Sequence, residues 1–262
     1  MFIKFSYLKY ILNQNCFHAI VNRTMIIVSN KNIKFSIFTH IEKCAGMSLS
    51  KLFNIHKSNK FNNLEKRHNT VEEDMSILKN FFKKIDTNHV LFFTCLRNPW
   101  DRMVSFYHYI RELDINKSHK DWSKYHEICK KNTFTDFILY AHDYPNYIGA
   151  CKPYKKRLLY KKKFICDYVI NYHNIYDDIK FLKNIFLIHD NLTIMNSSKH
   201  KNYKFYYNSK SEEIIKKIFK DDIDLFNFSF DNPKQIKKPK ININKINSFI
   251  IESPFKKNFK IL

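Results

Sequence analysis

A continuous, mostly apolar run, HVLFFTCL at residues 89–96, constrains the fold of this chain most strongly. A strand that is apolar along its length must be covered on both faces, which is typical of a central strand in a parallel sheet. A short run of β-branched and aromatic residues, KFSIFT at residues 34–39, predicts a second buried strand that ends in a polar loop. The segment CDYVINY at residues 166–172 predicts a third strand.

Helices are predicted between and after these strands. Residues 70–85 carry a helix-like apolar stripe, with Thr70 as the N-cap and Glu73 as its capping-box partner. Pro99 suits the first turn of a helix that follows the central strand, and residues 211–226 show a long amphipathic pattern. This alternation of strands and helices predicts an α/β fold with a central parallel β-sheet flanked by helices.

The loop THIEKCAGMS at residues 39–48 joins the strand at 34–39 to a helical stretch. Gly46, one of only two glycines in the chain, lies in this loop, where a turn can direct successive backbone N–H groups at one anion. Lys43 adds a positive charge and Ser48 adds a hydroxyl. A plain strand-to-helix turn with a surface lysine would explain the segment equally well. The loop is not a Walker A motif, because its lysine precedes the glycine.

The segment CLRNPWDRMVSFYHY at residues 95–109 places Arg97 at the end of the central strand and Ser105 two turns into the next helix. A guanidinium and a hydroxyl in these positions can bind one phosphate together. Parallel sheets bind ligands at the carboxyl ends of their strands, so both loops are expected at one site. The alternative is that Arg97 forms a structural ion pair, while Asp101 and Arg102 form local pairs on the helix surface.

The formal net charge of +22 comes mainly from lysine, since only six of the 46 basic residues are arginine. The lysines are spread along the chain among many Asn and Ile residues, which favours compositional drift on a solvated surface. The functional consequence of the net positive charge is a general attraction for anions, such as a polyphosphorylated ligand or an acidic glycan. Arginines and aromatic residues are not gathered in one stripe, so nucleic acid is not predicted as a partner.

The six cysteines are widely spaced without a CxxC pair, so the sequence predicts neither a zinc site nor a thioredoxin-like site. Reduced, mostly buried thiols are expected, and a disulfide in a secretory lumen is the alternative.

No apolar run reaches the length of about 18 residues that spans a bilayer. Residues 1–32 are interpreted as an N-terminal extension, residues 33–230 as one domain, and residues 231–262 as an irregular basic tail.

Together the two loops resemble motifs of sulfotransferases that use 3′-phosphoadenosine 5′-phosphosulfate (PAPS). HIEKCAGMS and RNPWDRMVSFY are similar to the H-I-P-K-T-A/G-G-T-S and R-N-P-x-D-R-x-x-S-x-Y motifs of the carbohydrate, heparan-2-O-like branch, sulfotransferase family 2. Weaker similarity is found in four further segments: RHNT (67–70), NYHNIYDDIKFL (171–182), NSSKHKNYKFYYN (196–208) and FKDDIDLFNFSF (219–230). The resemblance spans roughly residues 33–230 and implies a P-loop-NTPase-like, three-layer fold.

The resemblance also implies PAPS as the sulfuryl donor and a role for each matched residue. Lys43 would contact the bridging oxygen of the phosphosulfate and stabilise charge on the departing nucleotide. Arg97 and Ser105 would hold the 3′-phosphate. No metal is required, because the donor already carries an activated anhydride. The 5′-phosphate would be bound by backbone donors and one hydroxyl from five consecutive residues, Ala45, Gly46, Met47, Ser48 and Leu49.

Sulfuryl transfer to a hydroxyl needs a general base, and histidine is the side chain that titrates near neutral pH. His68 is the candidate for this catalytic role, because it lies between the two donor motifs and matches the family's K-H-x-T segment. The alternative is a solvated or capping histidine just before a helix. His40 is interpreted as a structural hydrogen-bonding residue and His108 as a packing residue.

Several residues depart from the family's motifs. Glu42 replaces a proline and places a carboxylate beside a dianion site, so this side chain must point away or weaken binding. Met47 replaces a threonine and removes a hydroxyl donor. Cys44 also replaces a threonine, and His173 stands where the family often has glutamate. These departures are expected to affect catalytic activity more than the fold.

The sequence therefore predicts a sulfotransferase that transfers a sulfuryl group from PAPS to a hydroxyl, with a glycan as the expected acceptor. Two alternatives stay open, a P-loop kinase and a catalytically weakened module that binds nucleotides or polyanions. Lys, Tyr and His residues in the region 110–163 are expected to shape the acceptor site. A cytoplasmic location is expected, or the Golgi lumen for a eukaryotic chain, without an integral membrane span.

Overall fold

The structure is a computed structural model that describes residues 18–21, 24–29, 32–53, 69–81, 85–114, 123–144, 149–186, 188–195, 198–242 and 244–245. Its strands are β1 His18–Val21, β2 Thr24–Ser29, β3 Asn32–Thr39, β4 Val90–Leu96, β5 Leu159–Tyr160, β6 Lys163–Phe164 and β7 Tyr168–Asn171. Its helices are α1 Gly46–Leu52, α2 Val71–Phe81, α3 Pro99–Arg111, α4 Ser123–Lys131, α5 Phe134–Asp143, α6 Tyr154–Arg157, α7 Ile175–Phe186, α8 Ser209–Ile218 and α9 Lys220–Phe226.

The main sheet has the strand order β1-β2-β3-β4-β7. Strands β3, β4 and β7 are parallel, and helices flank them, so the predicted α/β fold with a central parallel sheet is confirmed. Strands β1 and β2 extend the sheet in antiparallel register beside β3. These two strands lie in the segment interpreted as an N-terminal extension. The boundaries of the extension, the domain and the tail remain predictions.

Strand β4 is buried at every position, as its apolar sequence predicts. Phe93 lies at the centre of an aromatic cluster, with ring centroids 5.2 Å from Phe38, 5.3 Å from Phe53 and 5.8 Å from Phe186. These partners come from a neighbouring strand, from the end of α1 and from α7. The cluster therefore packs the helical layer against the sheet and fixes where α1 begins relative to β3 and β4.

The carboxyl ends of the parallel strands meet at one edge of the sheet. Thr39 pairs with Thr94, and Leu96 pairs with Asn171, so β3, β4 and β7 end at similar heights. The loops after these strands begin at residues 40, 97 and 172 and therefore lie side by side. This is the edge at which parallel sheets bind ligands.

Two predicted helix starts are confirmed. The Glu73 N–H donates to Thr70 Oγ1 at 3.2 Å, and the Thr70 N–H donates to Glu73 Oε2 at 2.7 Å, which completes the capping box of α2. Pro99 occupies the first position of α3, where the Asn98 side chain accepts from the Trp100 N–H at 3.1 Å. Helix α2 ends at Phe81, and residues 82–84 lie outside the described part of the chain.

The prediction that residues 211–226 are helical is confirmed, but the chain forms two helices, α8 and α9, in this stretch. The break falls at Phe219, whose backbone (φ −105°, ψ 21°) departs from helical geometry and whose side chain is buried in the core. Beyond the break, the Asp222 carboxylate accepts from the backbone N–H groups of Tyr154 and Lys155 at 2.6 and 2.8 Å. Apolar periodicity does not reveal this break, because both short helices bury the same kind of stripe.

Three further features concern the C-terminal tail, the cysteines and the helices as possible membrane spans. The described part of the predicted tail is irregular between residues 231 and 242, and Lys238 pairs with buried Asp178 at 2.6 Å. Five cysteines, Cys44, Cys95, Cys129, Cys151 and Cys166, are buried and free of disulfides; Cys16 lies outside the described residues. Among the residues described, none of the helices combines the length and the apolar character needed to cross a membrane.

Candidate active site

The loop after β3 forms a tight turn in an unusual backbone conformation. The Cys44 N–H donates to the Ile41 carbonyl at 3.3 Å, which closes a four-residue turn. Lys43 and Ala45 both have left-handed backbones, with φ of 63° and 56°. Each such residue with a Cβ costs roughly 1–2 kcal/mol. Backbone strain of this kind persists only where the surroundings enforce it, and it concentrates at functional sites.

Gly46 begins α1 and is required by its contact with His40. A Cβ at position 46 would lie 1.8 Å from His40 Cδ2 and 1.9 Å from His40 Nε2. The His40 ring is buried and also stacks on Phe38, with ring centroids 6.1 Å apart. Because Gly46 has no side chain, the His40 imidazole can pack against the first turn of α1. His40 therefore has a packing role there.

Lys43 extends its side chain over the ring of Tyr109, with Nζ 4.0 Å from the ring centroid. This is a cation–π distance, and the tyrosine comes from the second half of α3. Burial, followed by the nearby charge of Arg97, lowers the pKa of Lys43 from its usual value to about 8. At neutral pH the side chain is therefore still mainly a cation, but one held in a partly desolvated place.

Arg97 lies beside the same turn. Its Nη1 group donates to the Lys43 carbonyl at 3.3 Å, and its guanidinium lies 4.2 Å from the centroid of the Tyr172 ring. The structure thus brings Lys43 and Arg97 together at the edge where the parallel strands end. Arg97 also donates from Nε to Asp101 Oδ2 at 2.6 Å, so the structural ion pair considered as an alternative is present as well.

Asp101 is the buried partner of Arg97, and its importance is not evident from the motif alone. His173 Nε2 lies 3.2 Å from Asp101 Oδ2, close enough for an ion pair although not aligned as a hydrogen bond. Burial would raise the pKa of Asp101, but the contacts with His173 and Arg97 outweigh this effect and lower the pKa to about 2. His173 was singled out only as a departure from the family pattern, because it reaches Asp101 through tertiary structure.

The alternative in which Asp101 and Arg102 form pairs on the helix surface is wrong, because both side chains are buried. Arg102 is fully buried, donates from Nε to the Glu42 carbonyl at 2.9 Å, and contacts Glu42 Oε2 at 3.4 Å. Its guanidinium stacks 4.6 Å from the ring centroid of Tyr154. Helix α3 faces the sheet and the loops on most of its circumference, which the mixed polar sequence PWDRMVSFYHY does not indicate.

Glu42 points toward two arginines. Its Oε1 lies 2.5 Å from Arg157 Nη2, while Oε2 faces Arg102. Two outcomes were expected for this carboxylate, that it points away from the anion site or that it weakens binding. The described contacts direct its charge into a buried pair of cations. Glu42, an acidic residue within the turn of Lys43, thus joins this turn to α3 through Arg102 and to α6 through Arg157.

The remaining residues predicted to bind the 5′-phosphate follow the turn into α1. The Leu49 N–H donates to the Ala45 carbonyl at 3.0 Å, and the Leu49 side chain is buried in the core, so this amide already has a helical partner. The preceding amides, at positions 46–48, have no acceptor within the helix. Ser48 Oγ accepts from the Met195 N–H at 2.9 Å and keeps its own proton as a donor. Met47 is 40% exposed.

Ser105 is buried two turns into α3, as its spacing from Arg97 predicts. Its described hydrogen-bonding contacts are with Ser198: the two hydroxyl oxygens lie 3.3 Å apart. One turn further on, His108 stacks on His200 with ring centroids 5.4 Å apart and meets the edge of Tyr206. These contacts show His108 in a packing position. They also place part of the segment 196–208, whose resemblance to the family was weaker, against α3.

His68, the predicted general base, lies outside the described residues. The described chain resumes at Asn69, which is buried and donates to Asp74 Oδ1 at 2.9 Å. Within the described residues, no group of three or more His, Cys, Asp or Glu side chains has an arrangement that could hold a metal ion.

Comparison with known families agrees with this architecture. A family model described as "Sulfotransferase family" matches residues 24–229, which is most of the chain. The chain belongs to the sulfotransferase family, and it is accordingly a transferase for sulfuryl groups. The resemblance of its two loops to sulfotransferase family 2 is thereby confirmed. No curated protein and no solved structure matches the chain.

The close contact between Gly46 and His40 predicts that a side chain at position 46 would destabilise the protein. We expect Gly46→Ala to destabilise the protein by roughly 1–3 kcal/mol or more, because the new methyl overlaps a buried ring. The neighbouring change Ala45→Gly is the matched control. Since it relieves a left-handed alanine, it is expected to leave stability unchanged or raise it by up to about 1 kcal/mol. Chemical denaturation of both variants measures the difference. Equal stability of the two would contradict the assigned role of Gly46.

Proposed function

We propose that this sulfotransferase uses PAPS as its donor and transfers the sulfuryl group to a hydroxyl of a carbohydrate acceptor. The observation that carries the proposal is the pairing of Lys43 and Arg97. Two cations from separate loops lie at the carboxyl edge of the parallel sheet, joined through the Lys43 carbonyl. A ligand with anionic groups at both ends of a nucleoside would engage both.

The residues present fit a donor of this chemistry. PAPS supplies an activated phosphosulfate at one end and a 3′-phosphate at the other. Arg97 carries five N–H donors, and the described structure assigns partners to two of them, at Asp101 and at the Lys43 carbonyl. Its guanidinium is held by Tyr172 and by the buried carboxylate of Asp101, so it can present the remaining donors in a fixed plane.

Lys43 is proposed to stabilise the negative charge that develops on the departing nucleotide. A partly buried cation acts more strongly on such charge than a solvated one, because little water screens it. The amides at positions 46–48 and the Ser48 hydroxyl would hold the 5′-phosphate, with Ala45 shaping the turn before them. Arg97 and Ser105 would hold the 3′-phosphate. Leu49 is proposed to contribute through its place in α1, since its N–H is already bonded.

Of the alternatives, a weakened binding module was suggested by two departures from the motif, Glu42 and Met47. The Glu42 carboxylate is paired with Arg157 and Arg102, which argues against the first of these reasons. A P-loop kinase gains no support from the family comparison. The glycan acceptor is supported by the resemblance to the carbohydrate branch and by the strongly basic chain, which favours anionic polymers.

Removal of Lys43 tests the donor chemistry. Lys43→Ala is expected to lower kcat by roughly 100-fold or more, because one preorganised cation is lost from the transition state. Lys51→Ala, which changes an exposed lysine in the same helix region, is the control and should retain activity. In the wild-type protein, kcat/KM for PAPS should decline as the pH rises through about 8, because Lys43 loses its proton there. Unchanged turnover in Lys43→Ala would remove this role.

Recognition of the 3′-phosphate is tested by ligand discrimination. The wild-type protein should be stabilised in thermal unfolding by adenosine 3′,5′-bisphosphate, more than by 5′-AMP and without a comparable effect of ATP–Mg²⁺. Arg97→Ala should bind the bisphosphate and 5′-AMP with similar affinity, whereas Arg111→Ala, at the far end of α3, should keep the preference. A preference that persists in Arg97→Ala would place the 3′-phosphate elsewhere.

The general base is tested through the pH dependence of turnover. If His68 accepts the acceptor's proton, His68→Ala should lower kcat by roughly 100-fold and abolish the acidic limb of the pH–rate profile. Donor affinity should be unaffected, because the proposed base contacts the acceptor. Changing His142, an exposed histidine on α5, to alanine is the control. A wild-type pH profile in His68→Ala would assign the base role to another group.

A further inference from the structure

The turn that presents Lys43 has a defined type. Lys43 occupies its third position with φ of 63°, while Glu42 at the second position is not among the residues with positive φ. With the bond from Cys44 to Ile41, this is the pattern of a type II turn. Proline is favoured at the second position of such turns because it fixes φ, and glycine is favoured at the third. This chain has neither residue there, so its sequence alone does not stabilise the turn.

The turn is instead held from outside by side chains. The Glu42 carbonyl accepts from Arg102 Nε at 2.9 Å, and the Lys43 carbonyl accepts from Arg97 Nη1 at 3.3 Å. These bonds hold the carbonyl side of the turn. The Glu42 side chain supplies a further connection, because its Oε1 lies 2.5 Å from Arg157 Nη2.

The residue that pairs with Glu42 is itself firmly anchored. Arg157 is buried at the end of α6, the short helix that begins at Tyr154. The Tyr154 hydroxyl donates to the Arg97 carbonyl at 2.6 Å, and the Tyr154 N–H donates to Asp222. One short helix therefore contacts both the turn of Lys43 and the strand end that carries Arg97. A rigid support of this kind can transmit its position to the turn.

We propose that Glu42 is a positioning residue whose ion pair with Arg157 holds the strained turn and so places Lys43 for catalysis. The pair performs the task that a proline at the second position of the turn would perform through its ring. This inference rests on the proposed function in so far as Lys43 is taken to act on the donor. The conformational part of it concerns the turn alone and does not depend on the reaction.

The test must separate positioning from simple stability. A single change at Glu42 would take its carboxylate away from two buried arginines, Arg157 and Arg102, which by itself destabilises a protein. Two double variants are therefore compared with each other: Glu42→Ala with Arg157→Met, and Glu42→Pro with Arg157→Met. Both lose the contact between Glu42 and Arg102, so this cost cancels in the comparison. Both remove the ion pair and leave an apolar side chain at position 157. They differ only in whether residue 42 itself favours the turn.

Two measurements are made on each double variant. Hydrogen exchange of the backbone amides at residues 43–49 reports the stability of the turn, and steady-state kinetics with PAPS report the placement of Lys43. In the alanine variant we expect these amides to exchange at least tenfold faster than in the wild type. We also expect kcat to fall at least tenfold while the KM for PAPS changes by less. In the proline variant both values should return most of the way to wild type.

The outcomes distinguish this inference from the proposed function. Equal exchange at residues 43–49 in the two double variants would overturn the positioning role, whatever the activity. Slower exchange in the proline variant without PAPS turnover by the wild type would support the positioning role and refute the proposed reaction. If methionine at position 157 prevents folding, the same pair of changes at Glu42 is compared in an Arg157→Gln background, with the same criteria.

Discussion

The geometry of the candidate site depends on hydrogen bonds to two carbonyl groups, those of Glu42 and Lys43, in the turn that presents Lys43. Arg97, which lies between β4 and α3, donates to the Lys43 carbonyl, and Arg102, in α3, donates to the Glu42 carbonyl. The junction of β4 and α3 thus holds two successive peptide units of the turn. Since this junction follows the fully buried strand β4 directly, the position of the turn depends on the packing of that strand. The left-handed backbones of Lys43 and Ala45 are tolerable only because this support is in place.

The charges below the turn occur as two buried groups. Glu42 is shared by two arginines, and Asp101 is paired with Arg97 and lies 3.2 Å from His173 Nε2. Buried ion pairs of this kind add little net stability, because desolvation opposes their attraction, but the loss of one partner is strongly unfavourable. Their physical effect is to allow few alternative arrangements of the turn. The site therefore obtains its geometry from charges that do not themselves need to touch the substrate.

Features that depend on neighbouring residues, such as helix starts, could be predicted from the sequence. Features that depend on contacts between distant segments could not. The capping box at Thr70 and Glu73 and the start of α3 at Pro99 follow from neighbouring residues, so the sequence alone was sufficient. The antiparallel strands β1 and β2 depend on pairing with β3. The interruption at Phe219 depends on how α9 docks on α6. For the site, the motifs identified Lys43 and Arg97, but Arg157 meets Glu42 across 115 residues, a distance at which no pattern signals a contact.

The electrostatics of the two cations explain why an anion suits this place. The positive charge of Arg97 helps to lower the pKa of Lys43, so the two groups oppose each other's charged state. An anion that contacts both would reverse this effect, raising the pKa of Lys43 and strengthening its own binding by the same coupling. Asp101 moderates the charge of Arg97 from the buried side, while Glu42 is neutralised by other arginines. Lys43 and Arg97 are therefore the cations at this turn that a nucleotide with two anionic groups is proposed to contact.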